Sequence, residues 1–212
     1  MTPRSDLPDT MRAAVLDSDT PTLRIERIPV PLPQAGEALV RIQACGVCHT
    51  DLHVMRSEVA FPRPAVLGHE VSGTIVSFGN GTEDRRGLEV GARVVGAFIM
   101  PCGRCPACSR GRDDLCSEFF QKNRLKGTLY DGSSRLQAPD GSFLAMYSMG
   151  GLAEYSVVPL TALARLAPHV DFDSACILGC AGLTSYGAVF RTAALQPGNP
   201  LPSSASAASV PA

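Results

Sequence analysis

Four cysteines in one short segment place the strongest constraint on how this chain can fold. They have the spacing Cys-x2-Cys-x2-Cys-x7-Cys and are Cys102, Cys105, Cys108 and Cys116. Four thiolates this close together can surround one zinc ion as a closed tetrahedron, which is the arrangement of a structural site. The turns needed to fold a backbone around an ion are supplied by neighbouring residues, namely Pro101, Gly103, Pro106 and Gly111. The spacing therefore predicts a loop that folds around zinc.

An iron–sulfur cluster is the competing interpretation of four close cysteines. The bacterial cluster motif has three residues before its last cysteine and a proline directly after it. In this chain seven residues separate Cys108 from Cys116, and Ser117 follows. The spacing favours zinc over an iron–sulfur cluster.

The composition describes an ordinary globular protein of 212 residues, with 45% apolar and 18% charged residues, large enough for one large or two small domains. A formal net charge of -1 offers no basic surface for nucleic acid or anionic lipid, so a small-molecule partner is expected. Residues 1–10 have no apolar stretch and are expected to be a flexible N-terminus, neither signal peptide nor membrane anchor. We expect a reducing cytoplasm, where eight cysteines serve as ligands or buried thiols rather than disulfides.

The apolar pattern predicts strands in most of the chain and helices near its end. Short runs with β-branched residues or alternation predict strands over Met11–Leu16, Leu23–Val30, Ala38–Ala44, Val71–Phe78, Val90–Phe98 and Ala153–Val158. Hairpin turns are predicted between Lys126 and Ser148, where Asp-Gly pairs occur. One helix capped by Asp173 or Ser174 is predicted to run through Ile177, and a second over Leu183–Leu195.

A second set of candidate ligands is dispersed along the chain. Cys48, His69 and Cys180 supply two sulfurs and one imidazole, which is the three-ligand pattern of a catalytic zinc site with an open fourth position. Spacing alone does not show that the three residues meet. Taken singly, each residue favours an interpretation without a metal: His69 as a core histidine with satisfied hydrogen bonds, Cys48 with Cys45 as an ordinary thiol pair, and Cys180 as a small buried hydrophobe.

Together these segments resemble the zinc-dependent alcohol dehydrogenases of the medium-chain dehydrogenase/reductase superfamily. The motifs occur in the family's order over Met11–Pro197 and are Cys48-His49-Thr50-Asp51-Leu52-His53, Gly68-His69-Glu70-x2-Gly73, the cysteine quartet and Gly179-Cys180. The resemblance implies a mainly β, GroES-like barrel over residues 11–185 with a zinc-binding loop and C-terminal helices. It further implies that residues 186–198 form a helix leading to a cofactor domain.

The resemblance also implies a role for individual residues. Cys48, His69 and Cys180 would bind a catalytic zinc, in addition to the structural zinc of the quartet. Asp51 would hold the His69 ring in its metal-binding tautomer, and Glu70 would approach the metal during ligand exchange.

Proton transfer and cofactor binding are assigned by the same resemblance. Thr50 would take the alcohol proton and pass it to His53 by way of the cofactor ribose, although His53 is also interpreted as an exposed helix residue. His49 would contact the cofactor pyrophosphate, and Thr184 the nicotinamide.

The implied activity is oxidation of an alcohol to an aldehyde or ketone with NAD or NADP, and intact relatives are expected to be homo-oligomers. The sequence, however, contains no Gly-x-Gly-x-x-Gly cofactor fingerprint after Gly198, so the Rossmann domain is expected to be absent. The alternative function is therefore a zinc-binding fragment without turnover.

The final segment, residues 199–212, is rich in Pro, Ser and Ala and is expected to be disordered. Read one base out of frame, the codons of Ser203–Val210 permit apolar residues and glycines in the order of the missing fingerprint. We therefore interpret the segment as an out-of-frame tail, and a GC-rich gene that yields Ser/Ala strings for other reasons is the alternative.

Overall fold

The computed structural model describes residues 7–196 and 198–199. The prediction of an out-of-frame tail concerns residues of which only Asn199 is described, and residues 1–6 of the segment predicted to be flexible also lie outside the described residues.

Within residues 7–196, ten strands form two five-stranded sheets. Their bounds are β1 Thr10–Leu16, β2 Leu23–Pro29, β3 Glu37–Gly46, β4 Ala65–Val66, β5 Glu70–Phe78, β6 Arg93–Gly96, β7 Leu136–Gln137, β8 Phe143–Met146, β9 Tyr155–Pro159 and β10 Leu163–Arg165. One sheet has the order β2-β1-β4-β8-β7, and the other has the order β10-β6-β5-β3-β9. The pairs are antiparallel except for β4 with β8.

The two sheets share one core and are joined at their edges. On β1 the alternating residues Met11, Ala13 and Val15 are buried, as expected for a strand with one face toward the core. Ala13 forms a bridge with Ala153, and the Ala14 amide donates to the Leu152 carbonyl at 2.8 Å, which ties β1 to the chain leading into β9. The mainly β architecture is confirmed.

The pairing of β3 with β5 positions the dispersed ligand candidates. The antiparallel register runs from Ala38 opposite Phe78 to Gly46 opposite Glu70, with irregularities at two places in β3. Cys48 follows the end of β3 by two residues, and His69 directly precedes β5. Both residues therefore emerge at the same end of this strand pair.

The helical elements are short. The α-helices are α1 His49–Met55, α2 Phe172–Ala175 and α3 Ala181–Tyr186. Tighter 3-10 turns occupy Cys108–Arg110, Asp113–Leu115, Leu160–Ala162 and Cys176–Gly179, and wider π turns occupy Phe119–Arg124 and Gly187–Thr192. Among the described residues, none of these helices is long and apolar enough to cross a membrane.

Most strand predictions are confirmed to within two residues, but three local predictions are wrong. The strand predicted over Val90–Phe98 is limited to β6, because Gly91 adopts a positive φ of 87° within a turn that precedes it. The cap of α2 is Asp171 rather than Asp173 or Ser174, since the Asp171 carboxylate accepts the Ser174 amide at 2.7 Å. The second helical stretch spans 181–192, starting and ending earlier than Leu183–Leu195.

A buried ion pair joins the hairpin region to β3. The Arg135 guanidinium donates to both oxygens of Glu37, at 2.9 and 2.7 Å, and their side chains are only 6% and 10% exposed. The pair Arg12–Glu154 has the same chemistry, but its side chains are 66% and 42% exposed.

We expect Arg135→Met to lower the free energy of unfolding by about 3–5 kcal/mol, because it leaves the Glu37 carboxylate buried without its partner. The matched change Arg12→Met should cost less than about 1 kcal/mol, because water solvates both groups of that pair. Urea unfolding of the two variants provides the comparison. An equal loss of unfolding free energy in the two variants would contradict the view that burial makes the Arg135–Glu37 pair more important for stability.

Candidate metal centres

The cysteine quartet forms one compact cluster in the loop between β6 and β7. The sulfurs of Cys102, Cys105, Cys108 and Cys116 all lie within 4.8 Å of one another. Zn–S bonds of about 2.3 Å place tetrahedral sulfurs about 3.8 Å apart, so small side-chain adjustments are enough to bring all four onto one ion. Gly103 and Gly111 adopt positive φ values of 74° and 71°, which supply the turns that the sequence indicated.

Backbone amides point at two of the quartet sulfurs. The Cys105 amide donates to the Cys102 sulfur at 3.3 Å, and the Cys102 amide donates to the Cys116 sulfur at 3.2 Å. A backbone hydrogen bond from Cys108 lowers the pKa of the Cys105 thiol to about 5, whereas burial raises the pKa of Cys108 and Cys116. One thiolate is thus stabilised and two are destabilised, and a cation bound among them would stabilise all three.

The second cluster brings together residues from three separate segments. Cys48 caps α1, His69 directly precedes β5, and Cys180 precedes α3, yet their candidate ligand atoms lie within 4.8 Å of one another. The sequence spacing could not show this meeting. Three ligands leave a fourth position free, in contrast to the closed quartet.

Asp51 links two of these three segments. One carboxylate oxygen accepts the Cys48 amide at 3.0 Å, so Asp51 reaches back to the start of its own helix. The other oxygen accepts the Gly68 amide at 3.2 Å and lies 3.4 Å from Nδ1 of His69. The side chain is almost fully buried, so the carboxylate holds Cys48 and His69 in a fixed relation.

His69 provides the test of whether this cluster fits a metal. The side chain is fully buried, and neither ring nitrogen has a hydrogen-bond partner among the described residues. Nδ1 lies 3.4 Å from Asp51 without forming a well-aligned hydrogen bond, and because Nδ1 faces this carboxylate, Nε2 is the candidate ligand atom. Buried polar atoms normally have a partner, and a metal ion between two thiols and an imidazole supplies one.

The protonation pattern of the cluster also favours a cation. Contact with the Cys180 thiol, followed by contact with His69, lowers the pKa of Cys48 to about 3, and the contact with Cys48 raises the pKa of Cys180. Burial lowers the pKa of His69, but the nearby Asp51 carboxylate and Cys48 sulfur outweigh it and raise the pKa to about 9. The low pKa of Cys48 favours its thiolate, which is the form of cysteine that binds a metal ion.

Close backbone contacts set the position of Cys180. A Cβ on Gly179 would lie 1.8 Å from the Gly96 carbonyl oxygen, so only glycine allows this approach. The Gly179 carbonyl accepts the Phe98 amide at 3.0 Å, and Glu70 Oε1 accepts the Ala181 amide at 3.2 Å. The residues on both sides of Cys180 are thus anchored to β5 and to the segment after β6.

The other candidate site residues lie around this cluster with different exposure. The Thr50 hydroxyl lies 3.5 Å from the Cys48 sulfur. His53 contacts the exposed His49 with ring centroids 4.6 Å apart, and its Nδ1 forms a short contact with Glu58. Thr184 is exposed on α3, one turn after Cys180. The structure therefore places Thr50 next to a ligand and leaves His49 and Thr184 open to solvent.

An open cavity of about 530 Å³ reaches the second cluster. Its lining includes Phe98, Cys180, Leu183 and Thr184. A larger cavity of about 690 Å³ lies elsewhere, between β2 and the chain around Arg135, away from both cysteine clusters. The smaller cavity gives a small molecule access to the ligand set.

Sequence reasoning missed three residues that surround the site. The ring centroids of Phe98 and Tyr147 lie 4.5 and 5.8 Å from that of His69, and Glu58 contacts His53. Phe98 lies in a segment with no recognisable motif, Tyr147 follows a hairpin, and Glu58 lies past the end of α1. No signal in the sequence marked their proximity to the ligands.

We expect the purified protein to carry close to two zinc ions per chain. Cys105→Ser should remove one ion and strongly lower the unfolding temperature, because the quartet loop depends on its metal. Cys48→Ser should remove the other ion with a smaller loss of stability, because that centre is open. Metal analysis with thermal unfolding tests this, and iron or a metal-free protein would contradict it.

We expect Asp51→Asn to weaken zinc binding at the second cluster by about 10–100-fold. An amide has one acceptor oxygen, so its NH2 group must face either the Cys48 amide or the Gly68 amide. Competition with a chelator measures the affinity. Asp140→Asn, in an exposed turn, serves as the control and should bind zinc like the unaltered protein.

Comparison with known proteins identifies the family. Residues 34–168 match the family described as the alcohol dehydrogenase GroES-like domain. An S-(hydroxymethyl)glutathione dehydrogenase from Synechocystis sp. is 36% identical over 191 residues, which cover 89% of this chain and 50% of that protein. The chain spans about half the length of the curated relatives it matches.

Solved structures lead to the same result. An alcohol dehydrogenase zinc-binding domain protein from Burkholderia ambifaria aligns with a TM-score of 0.79 at 30% identity, covering 87% of this chain and 49% of that one. Acetophenone reductase from Geotrichum candidum in complex with NAD aligns with a TM-score of 0.70 at 28% identity, covering 90% and 49%. The family match spans more than half of the chain, and the protein therefore belongs to the zinc-dependent alcohol dehydrogenases of the medium-chain dehydrogenase/reductase superfamily, through its GroES-like domain.

Proposed function

We propose that this chain is the catalytic half of an alcohol dehydrogenase that interconverts an alcohol and an aldehyde or ketone with NAD or NADP. The observation that carries the proposal is that Cys48 and Cys180 meet His69. The His69 imidazole is buried and has no hydrogen-bond partner among the described residues. Zinc bound there would supply Lewis acidity, which eases removal of the proton from an alcohol. The quartet would hold a second, structural zinc.

The residues around the ligands fit distinct steps in handling the substrate and its proton. The Thr50 hydroxyl lies 3.5 Å from the Cys48 sulfur, and in this proposal it accepts the alcohol proton and passes its own proton on. Asp51 orients His69, as its contacts to Cys48 and Gly68 indicate. Glu70 is buried and holds the start of α3 through the Ala181 amide, which leaves its carboxylate close to the ligand set.

His53 fits the role of the outlet for the proton. Its side chain is 29% exposed, and its contact with Glu58 engages Nδ1, which leaves Nε2 available to solvent or to a cofactor hydroxyl. His53 is therefore able to pass a proton from the interior to water. Transfer from Thr50 to His53 needs a bridging group, and the cofactor ribose is the proposed bridge.

His49 and Thr184 are the proposed cofactor contacts on this half of the protein. Both side chains are exposed, and Thr184 borders the cavity that reaches Cys180. Two such contacts are too few to orient a dinucleotide, and the sequence has no Gly-x-Gly-x-x-Gly turn for its pyrophosphate. The apolar side chains of Leu183, Tyr186 and Phe190 on the same surface are more than half exposed, as expected of a face that a cofactor domain covers.

The second candidate function is a zinc-binding fragment without turnover of its own. It is favoured by the observation that the chain spans only half of its relatives' length. The cytoplasm is the proposed compartment for either function, since all eight cysteines are free and six of them belong to the two clusters.

We expect the 212-residue protein to show no saturable NADH binding in isothermal titration and no alcohol oxidation comparable to that of an intact relative. The hydride acceptor would lack a pocket to hold it near the substrate. Continuing the chain in frame past Gly198 into a dinucleotide-binding domain should recover both binding and turnover. Robust cofactor-dependent activity of the 212-residue protein alone would contradict this division of roles and point to a cofactor site shared between chains.

A further inference from the structure

We propose that Phe119 and Phe98 are positioning residues through which the cysteine-quartet loop sets the orientation of His69. The quartet would then do more than stabilise its own loop, because its folding would adjust the ligand geometry of the second centre. This inference rests on the proposed metal centre at Cys48, His69 and Cys180.

The first step connects a quartet ligand to Phe119. The Cys116 sulfur accepts the Phe119 amide at 3.4 Å, and the Cys116 carbonyl accepts the Phe120 amide at 3.3 Å. The helical turn that starts here directs Phe119 into the core, where its side chain is fully buried. Folding of the loop around the quartet thus determines where the Phe119 ring lies.

The second step connects Phe119 to His69 through direct aromatic contacts. The rings of Phe119 and Phe98 pack edge to face, with centroids 5.5 Å apart and an angle of 83°. Phe98 in turn packs on His69 at 4.5 Å, with an angle of 52°. Both distances are in the range of favourable aromatic pairs. The three rings therefore form a continuous packed path from the quartet loop to the imidazole.

The third step shows why a displacement of Phe98 matters for the ligand set. The Phe98 amide donates to the carbonyl of Gly179, the residue before Cys180, and its own carbonyl accepts the Ser148 hydroxyl at 2.8 Å. Phe98 therefore contacts one ligand through its ring and the neighbour of another through its backbone. A shift of this residue changes the relation between His69 and Cys180.

The His69 ring depends on packing more than on hydrogen bonds. Its Nδ1 lies 3.4 Å from Asp51 without a well-aligned hydrogen bond, and Nε2 has no partner among the described residues. The His69 ring is therefore held in place mainly by packing against the rings of Phe98 and Tyr147. In a close-packed interior, removing part of Phe119 lets Phe98 relax and releases this confinement.

The test compares Phe119→Leu with Phe120→Leu in the 212-residue protein loaded with cadmium-113. Phe120 is the matched control, because it packs on Phe119 but is 40% exposed and makes no ring contact with Phe98. Cadmium NMR gives one resonance per centre, and Cys48→Ser identifies the resonance of the second centre by its loss. We expect Phe119→Leu to shift that resonance and to weaken cadmium binding there about tenfold, the size of effect typical of residues that orient ligands. Phe120→Leu should leave both quantities unchanged.

Several outcomes would overturn the proposal. One is that Phe119→Leu leaves both the resonance of the second centre and its cadmium affinity unchanged. Another is that Phe119→Leu and Phe120→Leu change these two quantities equally, which would indicate a general loosening of the fold. Phe119→Met, which keeps more of the side-chain volume, replaces Phe119→Leu if that variant does not fold, and the same shift is expected of it. If the unaltered protein itself shows no resonance sensitive to Cys48→Ser, the proposed function fails and this inference fails with it. If the resonance of the second centre is present in the unaltered protein but does not change in Phe119→Leu, the inference is overturned and the proposed function is not.

Discussion

The antiparallel pairing of β3 with β5 is the constraint on which the candidate site depends. Because side chains alternate between the two faces of a strand, a slip of one residue in this register would reverse which side chains enter the core. The pairing ends with Gly46 opposite Glu70, and a Cβ on Gly46 would lie 2.4 Å from a Glu70 carboxylate oxygen. A small residue at this point lets Glu70 stay buried between the strands, while the chain continues to Cys48 on one side and His69 on the other.

Cys180, the third candidate ligand, is positioned by a close approach between two backbone segments. Gly179 packs against the Gly96 carbonyl at the end of β6, and the turn over Cys176–Gly179 lies on β3, β5 and β6. Cys180 is therefore positioned by backbone contacts to the same sheet that positions the other two ligands. Because α3 starts at this point, the sheet also determines where Thr184 and the exposed apolar side chains face. The candidate ligands and the proposed cofactor surface are therefore positioned by the same sheet.

The grouping of the candidate ligand residues followed the sequence prediction more closely than the local structure did, for physical reasons. Cysteine spacing within a short loop is a local property, so the quartet could be inferred directly, whereas the meeting of Cys48, His69 and Cys180 needed the family resemblance. The bounds of helix α1 were not predicted, because its start depends on Asp51 reaching back to the Cys48 amide rather than on an apolar period. The β6 prediction extended too far, since an apolar run does not reveal that Gly91 turns. The contacts of Phe98 and Tyr147 with His69 join residues distant in sequence and leave no local pattern.

The two centres differ in what their formation requires, and this difference separates their roles. All ligands of the quartet lie within one loop, so closing it around a cation involves short chain segments and a small entropic cost. The second centre joins residues 48 and 180, and its ligands meet only after both strands and the turn before α3 have packed. The metal affinity of the second centre therefore depends on the complete tertiary structure, whereas the metal affinity of the quartet depends on the folding of one loop. The second centre has an open coordination position and is therefore suited to binding a substrate. The quartet closes within one loop and is therefore suited to stabilising the fold around the second centre.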